Sequence, residues 1–406
     1  MTWRSRALPV AVALVPVALV GVGMAQLARP LPAPTAHAAI SRRYTVGGTA
    51  EPLPWPAQGQ AALYLPQFGW LGSTGDQGPV PIASLTKIMT ALVTLRSHPL
   101  AVGASGPLVT VTAADFALYQ SELAQGDSVM RVETGEGLTE LQLLEGLLLP
   151  SADNIAELLA DWQAGSEPAF VGEMNQLAKS LRLNHTHFAD SSGLDPDSVS
   201  SARDLVSLAT TAMSNPVFAS IVALPTAVLP LAGTVRNYNP LLGKDGVVGI
   251  KTGWTSAALG CLVFASRQTV GGHPVQLIGA VTGQPGGPAS GLVAAAAAAT
   301  ALIASASGEL QWVSLPLPGA TVGRLESAWA GSSAIRVAEP VQLPAPSGAR
   351  LKLSLAFHRL RAPISRGARV GTMSLTTPGG STIRQSLISA RTVPEPSWRW
   401  RLLRPW

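Results

Sequence analysis

The chain has 406 residues, 47% of them hydrophobic and only 13% charged, with a formal net charge of +5. That length exceeds an ordinary single domain and predicts two. Residues 1–38 hold three arginines (Arg4, Arg6 and Arg29) and no acid, so the remainder carries only +2; with no basic patch interleaved with aromatics, nucleic acid is excluded as a partner.

Arg4 and Arg6 precede an apolar run from Ala7 to Leu27, and Ala36-His37-Ala38 has the A-x-A form of a signal-peptidase site. The run also approaches the length of a bilayer span. Residues 1–38 therefore read as a signal peptide, with an uncleaved anchor as the alternative, and either one exports the body. Residues 39–58 continue a Pro/Ala-rich stretch that begins at Ala28. It has no periodicity and reads as a tether without secondary structure.

A first strand is predicted at Ala61–Leu65. From Ser84 to Ser97, Leu85, Ile88, Met89 and Leu92 recur at helical spacing, and Pro81 suits the approach to a helix start. Ser84 and Lys87, three residues apart, then share one helix face. A serine hydroxyl needs an adjacent base to become a nucleophile at neutral pH. Lysine serves as that base only when burial or a neighbouring cation lowers its pKa. The helix is apolar around most of its circumference, and Lys251 is the candidate cation. Only 5 of the 28 basic residues are lysines, so two lysines in these positions stand out from an Arg-rich background.

Leu138–Leu149 predicts a helix through Leu141, Leu144, Leu147 and Leu148, and Pro150 ends it. Ser151 then stands where an N-cap is wanted for a helix through Ile155, Leu158 and Leu159. In that place its hydroxyl also faces the Ser84 pocket, from which it can relay a proton to a leaving group. His185 and His187 alternate beside Asp190 without the spacing of a zinc site, and no metal is predicted.

Val247–Trp254 reads as a buried strand. It brings a cation, Lys251, and a hydroxyl, Thr252, to a strand edge where a carboxylate can be received, and Gly253 permits close backbone approach. Cys261, the single cysteine, excludes a disulfide framework and sits in the apolar run Leu259–Ala265 as a buried structural thiol. That run and Val275–Val281 predict antiparallel strands, and Gly291–Ala306, with its alanines from Ala294 to Ala299, predicts a closing helix. Beyond Leu310 short β-type runs (Ala320–Arg324, Ile335–Ala338, Leu351–Phe357, Val370–Leu375) between Pro and Gly clusters predict a small all-β domain over 310–393. In the tail, 394–406, Trp398-Arg399-Trp400-Arg401 suits a membrane interface, with a frayed terminus as the alternative.

Ser84-Leu85-Thr86-Lys87, Ser151-Ala152-Asp153 and Lys251-Thr252-Gly253 follow one another in the order of the S-x-x-K, S-x-N and K-T-G boxes of penicillin-binding enzymes. Phe170-Val171, Met174-Asn175, Thr186-His187-Phe188, Ser192-Gly193-Leu194-Asp195, Ser201-Ala202-Arg203-Asp204-Leu205 and Asn237-Tyr238-Asn239-Pro240-Leu241-Leu242 accompany them. Over residues 60–306 the chain thus resembles the low-molecular-mass penicillin-binding proteins of the serine-type D-alanyl-D-alanine carboxypeptidase family. The resemblance implies an α/β fold of the β-lactamase/transpeptidase type over 59–308, an antiparallel sheet with a helical cluster, ahead of the small all-β domain. It implies that Ser84 is acylated, Lys87 is its base and Ser151 a proton relay. Lys251, Thr252, Gly253 and Asp153 would bind substrate, and backbone N–H groups of Ser84 and of the strand after Lys251 would hold the oxyanion. The implied reaction is hydrolysis of the terminal D-Ala-D-Ala bond of the peptidoglycan stem pentapeptide outside the cell membrane. β-Lactams would act as covalent inhibitors, no metal or organic cofactor would be needed, and membrane-surface contact would fall to the leader or the tail. The β domain would serve as a spacer or contact module.

One residue departs from the family pattern. Asp153 stands where the second box usually has Asn, and an ionised Asp only accepts hydrogen bonds where Asn also donates. Either Asp153 occupies the pocket, held by Lys87, or a small shift brings in Asn154. An acid beside Lys87 opposes a neutral lysine base, which slows turnover more than acylation. A β-lactamase on the same scaffold would need a water-activating Glu, typically in E-x-x-L-N; Glu167-Pro168 begins such a stretch but continues Ala169-Phe170-Val171. A non-catalytic peptidoglycan-binding protein would account for Asp153, but not for intact Ser84, Lys87 and Lys251.

Overall fold

The computed structural model describes residues 7–49, 51–317 and 319–405. Its centre is an antiparallel sheet of β1 (Gln60–Leu65), β2 (Gly69–Ser73), β3 (Val247–Thr255), β4 (Leu259–Val270) and β5 (His273–Gln284), in the order β3-β4-β5-β1-β2. Alternate side chains of a strand point to opposite faces, and here both faces are covered, so β4 is buried without interruption from Gly260 to Ser266. Cys261, Val263 and Ala265 meet a helical cluster. Leu262 and Phe264 meet the long helix that follows the sheet.

The cluster comprises α1 (Lys87–Ser97), α2 (Ala113–Gln125), α3 (Glu140–Leu148), α4 (Asp153–Ala164), α5 (Glu167–Ser180) and α6 (Ala202–Met213). Its core joins Ile88, Leu144, Ile155, Phe170 and Leu205. On the other face α7 (Pro288–Glu309) lays Ala295, Ala299 and Leu302 against the sheet. The approach is close at its start, where a Cβ on Gly260 would lie 2.0 Å from the Gly291 carbonyl oxygen. Burial pushes the Cys261 thiol up to about 12, so it packs as an apolar group.

The β-rich part is a seven-stranded sheet with an additional pair, Leu310–Leu315 with Val341–Pro346. Its apolar core is continuous with that of β1, β4 and α7. The β1–β2 turn docks on it: Trp70 N donates to the Gly379 carbonyl (2.9 Å), and Thr377 Oγ1 donates to the Phe68 carbonyl.

One segment differs from expectation. Within the predicted tether, Thr35–Ala38 pairs with Gly323–Ser327 at one edge of the seven-stranded sheet, and Arg43–Thr45 pairs with Arg350–Phe357 at the other. Both edges would otherwise present unpaired N–H and C=O groups, and that pairing orders a segment with no periodicity of its own. Ala36-His37-Ala38, read as a cleavage site, lies inside the first of these strands. The tail is not frayed either: Trp398–Leu403 is a helix packed on the leader helix Ala7–Ala28. The Arg404 guanidinium donates to the carbonyls of Gln26 (3.2 Å), in the last turn of the leader helix, and of Arg29 (2.8 Å) and Pro30 (3.1 Å) just past its end.

Candidate active site

The nucleophile turn is built by a backbone exception. Ala83 has φ = 49°, a conformation unfavourable for a residue with a Cβ. Ala83–Thr86 then forms a 3₁₀ turn running into α1, rather than the first turn of the α-helix that the spacing predicts. Gly193 supports the turn from below, where a Cβ would fall 1.9 Å from the Ala83 carbonyl oxygen. Ser84 is carried over Lys87, as its spacing anticipates, and Lys87 Nζ donates to Ser84 Oγ at 3.1 Å.

Lys87 is fully buried. Its ammonium has three protons, and each has an acceptor: Ser84 Oγ, Asp153 Oδ1 at 2.5 Å and the Ser192 carbonyl at 2.8 Å. Sequence reasoning missed the Ser192 carbonyl. It is aimed by Asp190, whose Oδ2 accepts from Gly193 N (2.7 Å), Leu194 N (2.8 Å) and Ser192 Oγ (2.8 Å). Glu167 adds to this by accepting from Ser191 N (2.9 Å) and Ser191 Oγ (2.7 Å). The legible signal was an Asp just ahead of Ser192-Gly193, a side chain that folds its own loop.

Asp153 occupies the third position of the second box, and Asn154 does not reach it. The Asn154 amide is committed elsewhere, its Oδ1 accepting from Met130 N (2.9 Å) and its Nδ2 donating to Met130 O (3.0 Å). Ser151 is not the helix cap: with φ = 67° it turns into the pocket, and Ala152 takes the N-cap position without a side-chain bond. Asp153 N donates to Ser128 O (2.7 Å) and Asp153 Oδ2 accepts from Ser128 N (3.2 Å), which ties the loop after α2 to this box.

Ser84, Ser151, Asp153, Thr252 and Gly253 line one cavity of about 380 Å³. Asp127, Leu194, Tyr238 and Trp254 also line it, and none of these four was singled out from the sequence as a site residue. Gly253 packs against the nucleophile turn itself, a Cβ there lying 3.0 Å from Ser84 N. Lys251 lies just behind the wall, 2% exposed, with Nζ donating to the Thr252 carbonyl at 2.9 Å. It has no carboxylate partner among the described residues. Burial, and then the Lys87 charge, hold its pKa well below the usual lysine range, with Asp153 opposing. Among the described residues no His/Cys/Asp/Glu group could hold a metal ion.

Glu122 on α2 adds a buried acid beside this centre, with one carboxyl oxygen lacking a hydrogen-bond partner. Burial and the charges of Asp153, Glu157 and Asp127 push its pKa to about 8 against the opposing Lys87. The folded state therefore holds this proton more tightly than the unfolded chain does. The associated stability is present below the unfolded carboxyl pKa and is lost as pH rises through the folded one. Glu122→Gln should raise Tm by about 2–4 °C or more at pH 9 and by less than about 1 °C at pH 4.5. Equal shifts at both pH values in a thermal melt would refute the assignment.

Residues 71–285 match the family described as D-alanyl-D-alanine carboxypeptidase. DacB2 of Mycobacterium tuberculosis, a D-alanyl-D-alanine carboxypeptidase, is 34% identical over 220 residues, covering 50% of this chain and 71% of that protein. DacA of Escherichia coli, also a D-alanyl-D-alanine carboxypeptidase, is 30% identical over 324 residues, 77% of each chain. Penicillin binding protein 5 of Haemophilus influenzae has the same fold, with a TM-score of 0.62 over 86% of this chain and all of that one at 21% identity. A nucleophile turn, a buried lysine and a K-T-G strand around one cavity thus lie within a sequence match over half the chain, and the chain belongs to the D-alanyl-D-alanine carboxypeptidase family.

Proposed function

We propose that Ser84 hydrolyses the terminal D-Ala-D-Ala bond of peptidoglycan stem pentapeptides through an acyl-enzyme. The observation that carries this reading is the fully buried Lys87 Nζ, in reach of both Ser84 Oγ and Asp153 Oδ1 in the one cavity that also holds Ser151 and Thr252. Transfer of a proton from Lys87 to Asp153 leaves an amine that takes the Ser84 proton as the Oγ–C bond forms. Backbone N–H groups of Ser84 and of β3 hold the oxyanion. Ser151 Oγ gives its proton to the departing D-Ala nitrogen as the C–N bond breaks and regains one from Lys87, which restores the Lys87 amine. That amine then takes a proton from the water that opens the ester and returns it to the departing Ser84 Oγ. Thr252 and Lys251 receive the terminal carboxylate. Asp153 supplies the proton acceptor but not the amide donor of Asn, so turnover is slow relative to acylation.

The reaction is assigned to residues 59–308, with 310–393 as a spacer or contact module and the body outside the cell membrane. The leader helix exposes Val17, Leu19, Val20, Val22 and Met24, and its partner helix exposes Trp398 and Leu403. Together they form the membrane-facing end. Against a β-lactamase, Glu167 is occupied by Ser191 and does not line the cavity. Purified protein should release D-Ala from diacetyl-Lys-D-Ala-D-Ala and keep a fluorescent penicillin bound, releasing it slowly. Rapid, complete nitrocefin turnover, or absence of both D-Ala release and labelling, would sink the proposal.

A further inference from the structure

The cavity wall carries two carboxylates, and only one of them is matched. Asp153 is paired with Lys87. Asp127 lines the same cavity, and its carboxylate has neither an ion pair nor a side-chain hydrogen bond among the described residues. Its position is fixed from both ends. Gly126, with φ = 82°, closes α2 in the left-handed conformation, and Asp127 N donates to the Glu122 carbonyl at 3.1 Å. On the other side Ser128 is bonded twice to Asp153. Partial burial and the nearby Asp153 charge raise the Asp127 pKa, with Lys87 opposing, as expected for an acid that lacks its own cation.

Thr252 and Gly253 of β3 line the same cavity, and β3 is an edge strand of its sheet. An extended peptide added along that edge has its acyl carbon at Ser84 and sends the residue ahead of the D-Ala-D-Ala pair between β3 and the 126–128 loop. Leu194, Tyr238 and Trp254 offer apolar surface for an aliphatic stem, and Asp127, lining the same cavity, offers an anion for the stem's end. Resting on the carboxypeptidase reading, we infer that Asp127 is a specificity residue selecting stem peptides whose residue before D-Ala-D-Ala carries a free side-chain ammonium. A stem in which that amine has been acylated has lost its charge and is discriminated against.

The test compares Nα-acetyl-Lys-D-Ala-D-Ala, with a free ε-amine, and the Nα,Nε-diacetyl peptide, on wild type and Asp127→Asn. Wild type should favour the free amine by about three- to tenfold in kcat/KM at low salt, and the preference should shrink as salt is raised. In Asp127→Asn the ratio should fall to about one at every salt concentration, a change that a purely structural role for Asp127 would not produce. A wild-type ratio near one, or a ratio unchanged in Asp127→Asn while both peptides are cleaved, overturns this inference alone. If neither peptide is cleaved and Ser84 is not labelled by penicillin, the carboxypeptidase reading falls and the inference falls with it.

Discussion

Ser84→Ala and Lys87→Met should each lower D-Ala release by about 10⁴-fold or more, and the double variant should be little worse than either single one. Groups that act as one unit do not contribute additively, and the 3.1 Å contact between Lys87 Nζ and Ser84 Oγ makes these two such a unit. The variants separate in their response to penicillin. Ser84→Ala has no hydroxyl to acylate and should show no label. Lys87→Met keeps the nucleophile and should label slowly. Methionine fills much of the lysine volume but leaves Asp153, 1% exposed, without its cation. Breaking a buried pair from one side is costly, about 3–5 kcal/mol. Lys87→Met should therefore melt well below wild type, and adding Asp153→Asn should recover much of that loss without restoring activity. That recovery separates the chemical role of Lys87 from its structural one. Acylation of Lys87→Met at the wild-type rate would show that another group activates Ser84.

The parts of this molecule that were legible in the sequence are those whose burial leaves a period. Ile88 and Leu92 on one helix face, and Leu262 and Phe264 opposite Cys261 and Val263 on a strand covered on both sides, are examples. The three boxes were legible because each is a contiguous run. What failed to show depends on contacts distant in the chain. Thr35–Ala38 and Arg43–Thr45 are strands only because the seven-stranded sheet has edges to be closed. Ser151 looked like a cap because a cap needs only a hydroxyl before a helix, while its φ of 67° and its place in the cavity wall leave no trace in the local sequence. The Ser192 carbonyl and Asp127 reach the site on loops, and loops carry no period to read. Asp153 shows both sides: its departure from Asn was visible at once, but its occupation of the pocket was decided by Met130 holding the Asn154 amide.

Lys251→Ala should reduce kcat/KM for peptides ending in a free D-Ala carboxylate by about 10- to 150-fold, the range for a charge-assisted hydrogen bond of about 1.5–3 kcal/mol. The buried Lys251 has only a backbone carbonyl as acceptor, and burial disfavours its charge. A substrate carboxylate entering beside Thr252 supplies the missing counter-charge and raises the pKa of Lys251, so the complex takes up a proton. Binding of carboxylate substrates should consequently weaken as pH rises, and Lys251→Ala should flatten that dependence. A C-terminally amidated peptide has no carboxylate to present. It should already be poor with wild type and should lose little more on mutation, because two changes that remove the same interaction do not sum. Measuring both peptides on both proteins closes the cycle. If Lys251→Ala depresses the acid and the amide equally, Lys251 acts by tuning Lys87, whose charge is already felt at Lys251, and the carboxylate must be held by Thr252 and the β3 backbone without it.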